Sequence, residues 1–340
     1  MTTPARTLRE PRLSRVRADL DRLDAQMDPV ARLRGDPLSF VRAWSSPADQ
    51  EVAGAIASGL SFGRVAAFWP VVQALMDRAT ARGGPAQWVR AFDAEDARAL
   101  APLRYRWLDG ADLALWCATL GAALRAHGRL GAIAEAGWRP SHRDVGPALD
   151  HLVDRLRALA PGEAVRLGLA RGEAGRLGLA GGGFEALPRG FRTFLPRPSD
   201  GSACKRWCMM LRWMVRRPGP PGSVAGCDLG LWALPPARLV VPLDTHVARL
   251  SWFLGLTGRR DGSWRTAVEI TRNLARLDPA DPLRYDFALA HLGISGRCTV
   301  RAEGDKAPAV EVCQGCPLGR TCRVGAAAAG ATGVHAAVIG

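Results

Sequence analysis

Apolar positions recur at helical spacing through most of this chain. Long alternating runs of β-branched residues are almost absent, so the pattern predicts a mainly α protein. Residues 1–35 read as a helical arm. Ser46-Pro47-Ala48-Asp49 has the grammar of a helix start, with Ser46 as cap, Pro47 in the first turn and Asp49 completing a capping box. The small apolar run from Glu51 to Leu60 then suits a buried helix, and further helical patterns follow near 64–79, 85–101, 110–127 and 143–160. Three stretches break the pattern. Residues 161–187 contain RLGLA twice and end in a triple glycine, and read as a low-complexity insertion or loop. Residues 218–230 form a Pro/Gly-rich connection, and from about Gly325 the chain is an Ala/Gly-rich tail expected to be disordered.

Composition narrows the class. The 340 residues are 48% hydrophobic and 23% charged, as in one large or two modest soluble domains. No stretch of about 18 apolar residues is present to span a bilayer. The basic start lacks the apolar centre of a secretory signal, so the expected location is cytoplasmic. The formal charge of +14 favours a polyanionic partner, nucleic acid ahead of an anionic membrane. A general Arg, Ala and Gly bias would raise the charge equally well. Of the 46 basic residues only Lys205 and Lys306 are lysines.

Three segments carry candidate chemistry. Between Pro188 and Arg217 eight basic residues stand against the single acid Asp200, half of the chain's net charge in 30 residues. Pro196 to Ser202 is turn-forming and should lead into a helix. On that helix Trp207, Cys208, Leu211, Met214 and Val215 make a buried stripe, and Lys205, Arg212 and Arg216 align on another face. A turn into a helix N-terminus with basic residues beside it suits a phosphate, and Lys205 in the first turn suits an activated amine. A solvated basic face is the plainer explanation. In Val240 to Arg249, Asp244 stands where a helix begins and reads equally as an ordinary cap. Finally, Cys298, Cys313, Cys316 and Cys322 are spaced C-x14-C-x2-C-x5-C, a set of four thiols that suits either zinc or a [4Fe–4S] cluster.

Together these segments resemble the helix-hairpin-helix DNA glycosylase superfamily, which includes endonuclease III and the 8-oxoguanine glycosylases. PLDTHVAR, Pro242 to Arg249, resembles the superfamily's VDTHV motif, which implies that Asp244 is the catalytic carboxylate. GSACKRWCMMLRWMV, Gly201 to Val215, resembles the second hairpin helix, whose early lysine is the nucleophile of the bifunctional members and matches Lys205. The C-x2-C-x5-C ending is similar to the last three ligands of the endonuclease III iron–sulfur loop. GSACKR, DLGLW, PLDTHVAR and YDFAL together resemble a family of uncharacterised bacterial members of the superfamily. Pro198-Ser199-Asp200-Gly201 replaces the usual hairpin sequence, and Lys205 and Asp244 are 39 positions apart, further than in endonuclease III.

The resemblance implies an all-α, two-lobed fold with a C-terminal metal-cluster loop built on four cysteines. Residues 66–239 would form a helical barrel carrying the hairpin and Lys205. Residues 36–65 and 240–325 would form the other lobe, with Asp244 and the metal loop. It implies a monomeric base-excision glycosylase and AP lyase, nucleoid-associated, acting on double-stranded DNA that contains a damaged base. Lys205 would be the nucleophile and Asp244 its partner, while Ser199, Gly201, Ser202, Ala203, Arg197, Arg206 and Arg212 would contact DNA. Cys298, Cys313, Cys316 and Cys322 would hold a [4Fe–4S] cluster, or else zinc. The long Lys-to-Asp connection is similar to that of archaeal 8-oxoguanine enzymes and favours an oxidised purine. A non-catalytic, structure-specific DNA-binding protein of the same fold is the alternative. Phe62, Tyr105, Trp207, Trp213 and Trp232 are aromatic candidates for base stacking, though each also suits a core.

Overall fold

Pro47–Leu60 folds as a helix whose residues from Glu51 to Leu60 are all buried, and much of the protein is packed around it. The computed structural model describes residues 7–169, 183–219, 227–296, 298, 313 and 315–325. Along the described chain run α1 (Arg12–Ala25), α2 (Pro29–Leu33), α3 (Leu38–Arg42), α4 (Pro47–Leu60), α5 (Val65–Ala81), α6 (Pro85–Ala91) and α7 (Ala94–Leu100). A two-stranded hairpin follows, β1 (Arg104–Tyr105) and β2 (Leu108–Asp109). Then come α8 (Gly110–His127), α9 (Leu130–Ala136), α10 (Gly146–Arg166), α11 (Arg189–Arg192), α12 (Lys205–Val215), α13 (Thr245–Leu254), α14 (Trp264–Ala275) and α15 (Asp286–Ile294). The protein is thus mainly helical. Among the described residues no helix is long and apolar enough to cross a membrane.

Small residues on α4 decide how close its neighbours come. A Cβ on Gly54 would lie 2.5 Å from Cε of Met214, and one on Gly59 would lie 3.1 Å from the Phe194 ring. Helix α12 therefore lies directly against α4. The main neighbours of α4 are α3, α5, α6, α9 and α12. Its start differs from expectation. Ser46 makes no side-chain cap, and Asp49 instead accepts a hydrogen bond from the Ala86 amide at 2.8 Å. The orphan amides at the start of α6 have captured the carboxylate.

Two further segments depart from the pattern-based reading. Residues 161–166 are not loop: α10 continues through Pro161 to Arg166, with Ala160, Glu163 and Ala164 buried. Packing outweighs the one backbone hydrogen bond that proline removes. Of the segment read as an insertion, 170–182 lie outside the described residues, as does the tail 326–340. The N-terminal arm is docked. Helix α1 buries Leu13, Val16, Leu20 and Leu23 and packs on α15, the Leu8 amide donates to Asn273, and the Tyr285 hydroxyl donates to Asp21 at 2.6 Å. Asp19 accepts from both the amide and the hydroxyl of Thr321, tying α1 to the C-terminal loop.

Helix α12 buries the expected stripe and also the charged face beside it. Arg212 and Arg216 are each only 4% exposed. Arg212 donates to Asp286 at 2.9 Å and to Asp228 at 3.3 Å, and Arg216 donates to Asp228 at 3.0 Å and to Asp281 at 2.9 Å. The expectation that Arg212 contacts DNA is therefore corrected: the guanidinium is an internal tie between α12 and α15. Removing it strands two buried carboxylates. Arg212→Ala should cost about 3–5 kcal/mol in denaturant unfolding. Arg197→Ala, which breaks pairs with the exposed Asp154 and Asp200, should cost under about 1 kcal/mol.

Candidate functional site

The turn before α12 is fixed by short-range bonds. Asp200 N donates to Arg197 O and Gly201 N to Pro198 O, and Gly201 takes a left-handed φ of 82° that suits glycine. Cys204 also adopts a left-handed conformation, at φ 48°, although it carries a side chain. Its amide donates to Ser202 Oγ and its thiol reaches Pro196 O at 3.5 Å, which holds the strained residue in place. Burial pushes the Cys204 thiol up to about 12, so it stays neutral. The next residue is Lys205.

The Lys205 amine donates to Ser61 O at 3.0 Å, at the C-terminal end of α4, where the last carbonyls favour a cation. Burial nevertheless holds its pKa below the ordinary lysine value. Asp244, then Asp36, oppose that shift, Arg206 adds to it, and Asp286 opposes it. Asp244 caps α13, and its Oδ1 accepts from the amides of His246 and Val247, both at 2.8 Å. Its Oδ2 accepts no hydrogen bond among the described residues. One carboxylate thus anchors the helix with one oxygen and leaves the other unengaged.

Lys205 and Asp244 line the same cavity, of about 1160 Å³. Its walls come from the α2–α3 turn, the segment after α4, and helices α12, α13 and α15. A second polar group stands there. Asp36 accepts from Leu38 N at 2.9 Å and lies 3.5 Å from His291 Nε2. Burial acts to raise the Asp36 carboxyl, but the His291 hydrogen bond and the Arg212 charge hold it below the usual range. Asp286 is pushed up by burial, against the Arg212 charge. Phe62, Phe68, Trp252, Phe253 and Phe287 supply apolar wall. A wide, mainly apolar chamber with few convergent polar groups is the usual form of a small-ligand site.

The structure treats the expected DNA contacts unequally. Ser199 and Gly201 are exposed and Ser202 is half-buried, whereas Ala203 is buried. Ser199 donates to Asp150 through its amide and its hydroxyl, and Ser202 bridges to Ser263. Arg197 is partly exposed between Asp154 and Asp200. Arg206 is turned inward: it donates to Gly59 O at 2.6 Å and to Thr193 O, and burial pushes its pKa down to about 10. Its expected DNA contact is corrected in the same way as that of Arg212. Tyr105, Trp207, Trp213 and Trp232 are buried, and only Phe62 of the five aromatic candidates is half-exposed. Asp36 and His291 were not legible as site residues. Asp36-Pro37 signals only a helix start, and one histidine in an apolar helix signals nothing.

Burial raises the thiol pKa of Cys313, Cys316 and Cys322, and charge on others of the four cysteines, Cys298 included, raises it further. The backbone around them is tight. A Cβ on Gly319 would lie 2.5 Å from Cys313 O and 3.1 Å from Cys316 O. Four soft sulfur donors in one loop suit zinc or iron–sulfur by donor chemistry. Among the described residues, no three His, Cys, Asp or Glu side chains are drawn together closely enough to hold a metal ion.

A family model described as a protein of unknown function, DUF2400, matches residues 36–295. The chain belongs to that family. The match spans Asp36, Lys205, Asp244 and His291 and stops before Cys298. No curated protein and no solved structure matches the chain.

Asp244→Asn separates its two roles. Asparagine keeps the cap, so stability should change by only a few tenths of a kcal/mol, whereas Asp244→Ala should cost about 1 kcal/mol. Losing the carboxylate charge should lower the Lys205 pKa further, because Asp244 favours the ammonium form. With two lysines in the chain, reductive 13C-methylation and NMR titration follow Lys205 against Lys306 directly.

Proposed function

We propose that this protein is a DNA base-excision glycosylase with AP-lyase activity, acting as a monomer on an oxidised purine in double-stranded DNA near the nucleoid. The observation that carries this reading is the shared cavity: one of two lysines in an arginine-rich chain, its pKa lowered by burial, in the same cavity wall as a carboxylate whose second oxygen accepts no hydrogen bond among the described residues. Arginine would serve a phosphate equally well but cannot form a Schiff base. The cavity volume is ample for one extruded nucleoside, and a base inside a duplex is reached only by flipping it out.

In this reading the neutral Lys205 amine attacks C1′ of the flipped nucleotide. The C1′–N bond breaks, and the base leaves with the bonding electrons. Asp244 Oδ2 takes the proton lost from the amine, and its charge stabilises the cationic character developing on the sugar. The sugar ring then opens: the C1′–O4′ bond breaks, O4′ takes the proton from Asp244, and the nitrogen lone pair closes the C1′=N Schiff base. The Schiff base makes the C2′ proton acidic, so that its loss expels the 3′-phosphate and cuts the strand by β-elimination. The resemblance to DNA glycosylases supports the assignment of these roles. Cys298, Cys313, Cys316 and Cys322 would hold a [4Fe–4S] cluster, with zinc as the alternative, and bound metal would supply a structural crosslink to the loop that α1 touches through Thr321.

The test uses duplexes bearing 8-oxoguanine, uracil, an oxidised pyrimidine or an abasic site, with borohydride added to trap the imine. Covalent capture should occur with wild type, rise with pH through the lowered Lys205 pKa, and vanish in Lys205→Ala. Capture that survives Lys205→Ala removes the nucleophile assignment. DNA binding with no base release, indifferent to Asp244→Asn, would make the protein a non-catalytic DNA-binding module. Metal analysis is independent. Iron with broad visible absorption supports the cluster, zinc in a colourless protein supports the alternative, and neither metal removes both.

A further inference from the structure

The hairpin β1–β2 turns on two residues, Arg106 and Trp107, between the pairs Tyr105↔Leu108 and Arg104↔Asp109. Arg106 sits at φ 53°, a left-handed conformation that arginine adopts only at some cost. Trp107 is 55% exposed, and it is the one aromatic among the large exposed hydrophobic residues described. The indole is held in place all the same. It stacks on Phe62 with centroids 4.8 Å apart and planes 21° apart, and its Nε1 donates to Thr193 Oγ1 at 3.4 Å. The Arg106 guanidinium lies 5.7 Å from the Trp107 centroid. Phe62 is fixed in turn, since its carbonyl accepts from the Tyr105 hydroxyl and Arg206 covers its ring at 5.2 Å.

Phe62, Gly63 and Arg64 line the cavity, so the aromatic pair adjoins it through Phe62. Arg64 and Arg106 are both exposed, and Arg106 lies beside Gly63 of the cavity wall. The nearest hairpin carboxylate, Asp109, is occupied in capping α8 through the Asp112 amide. A rigid, solvent-facing π surface ringed by guanidinium groups has little to offer an apolar peptide. It matches a flat aromatic ring beside a phosphate, which is the chemistry of an unpaired nucleotide.

We propose that Trp107, backed by Phe62 and flanked by Arg106, is a stacking platform for an unpaired nucleobase of a DNA strand that runs past the cavity. This base is distinct from any base held inside with Lys205. The proposal rests on the reading that the protein binds DNA, but not on catalysis. The probe is lesion-free DNA carrying 2-aminopurine, offered as a paired duplex, as a duplex with one bulged 2-aminopurine, and as a single strand. Wild type should prefer the bulged and single-stranded forms and quench their fluorescence. Trp107→Ala should weaken binding to those two about tenfold and abolish the quenching, with little effect on the paired duplex. Trp107→Phe should retain most of both, and the thermal melts of the variants should match wild type because the ring is largely exposed.

Trp107→Ala that binds and quenches as wild type does would overturn the platform. Failure to bind any of the three DNAs would overturn the platform and the DNA reading together. Trp107-dependent binding in a protein that never traps an imine would retain the platform and remove only the lyase.

Discussion

Arg212 lies between two buried aspartates from different segments, and the arrangement of the site depends on that pairing. A guanidinium taken out of water needs its charge matched and its donors engaged, so Asp228 and Asp286 must both approach it. Asp228 lies in the Pro/Gly-rich connection, and Asp286 begins α15. Helix α12 is therefore held in one register against the helices that carry Asp244 and His291. Burial pushes both aspartates up and the two arginines draw them down, so the network is stable only when complete. Arg216, one turn on, extends it to Asp281.

Lys205 lies two turns before Arg212 and so projects from the same face of α12. The ion pairs that lock Arg212 thus also set where the amine stands. On its other side α4 approaches closely because Gly54 has no side chain, and the carbonyl of Ser61 at its end meets the amine. The lysine is partly desolvated between a helix C-terminus and three carboxylates. Desolvation favours the neutral amine, while the carboxylates keep the ammonium within reach. A group poised in this way can give up and regain a proton at modest cost, as a nucleophile or an acid–base group requires.

The helical character, the buried run of α4 and the apolar stripe of α12 were legible because each repeats a local period. Lys205 and Asp244 stood out because their segments had recognisable local patterns. What stayed hidden depended on distant partners. Arg206 and Arg212 look like surface cations in sequence, and only the arrival of Gly59 O, Asp228 and Asp286 turns them inward. Asp49 looked like a cap for its own helix until the amides of α6 took it. Asp36 and His291 come from opposite ends of the chain, and neither segment implies the other. Trp107 was hidden for the converse reason. A tryptophan beside an apolar residue such as Leu108 usually folds inward, and its exposure follows from a two-residue turn that directs it outward.

The same distinction changes what the chain's positive charge means. Half of it falls between Pro188 and Arg217, which in sequence looks like a polyanion footprint. In the folded protein Arg212 and Arg216 are neutralised internally, Arg206 is spent on carbonyls, and Arg192 and Arg197 face carboxylates of their own. Only Arg189 and Arg217 of that segment's basic residues are exposed. Exposed cations on or beside the cavity wall come instead from scattered positions, Arg64, Arg106 and Arg260. Those residues, more than the dense basic run, set the charge around the cavity that holds Lys205. Much of the dense run serves a different end: Arg206, Arg212 and Arg216 are cross-links of the interior, and they hold the helix that carries a single amine.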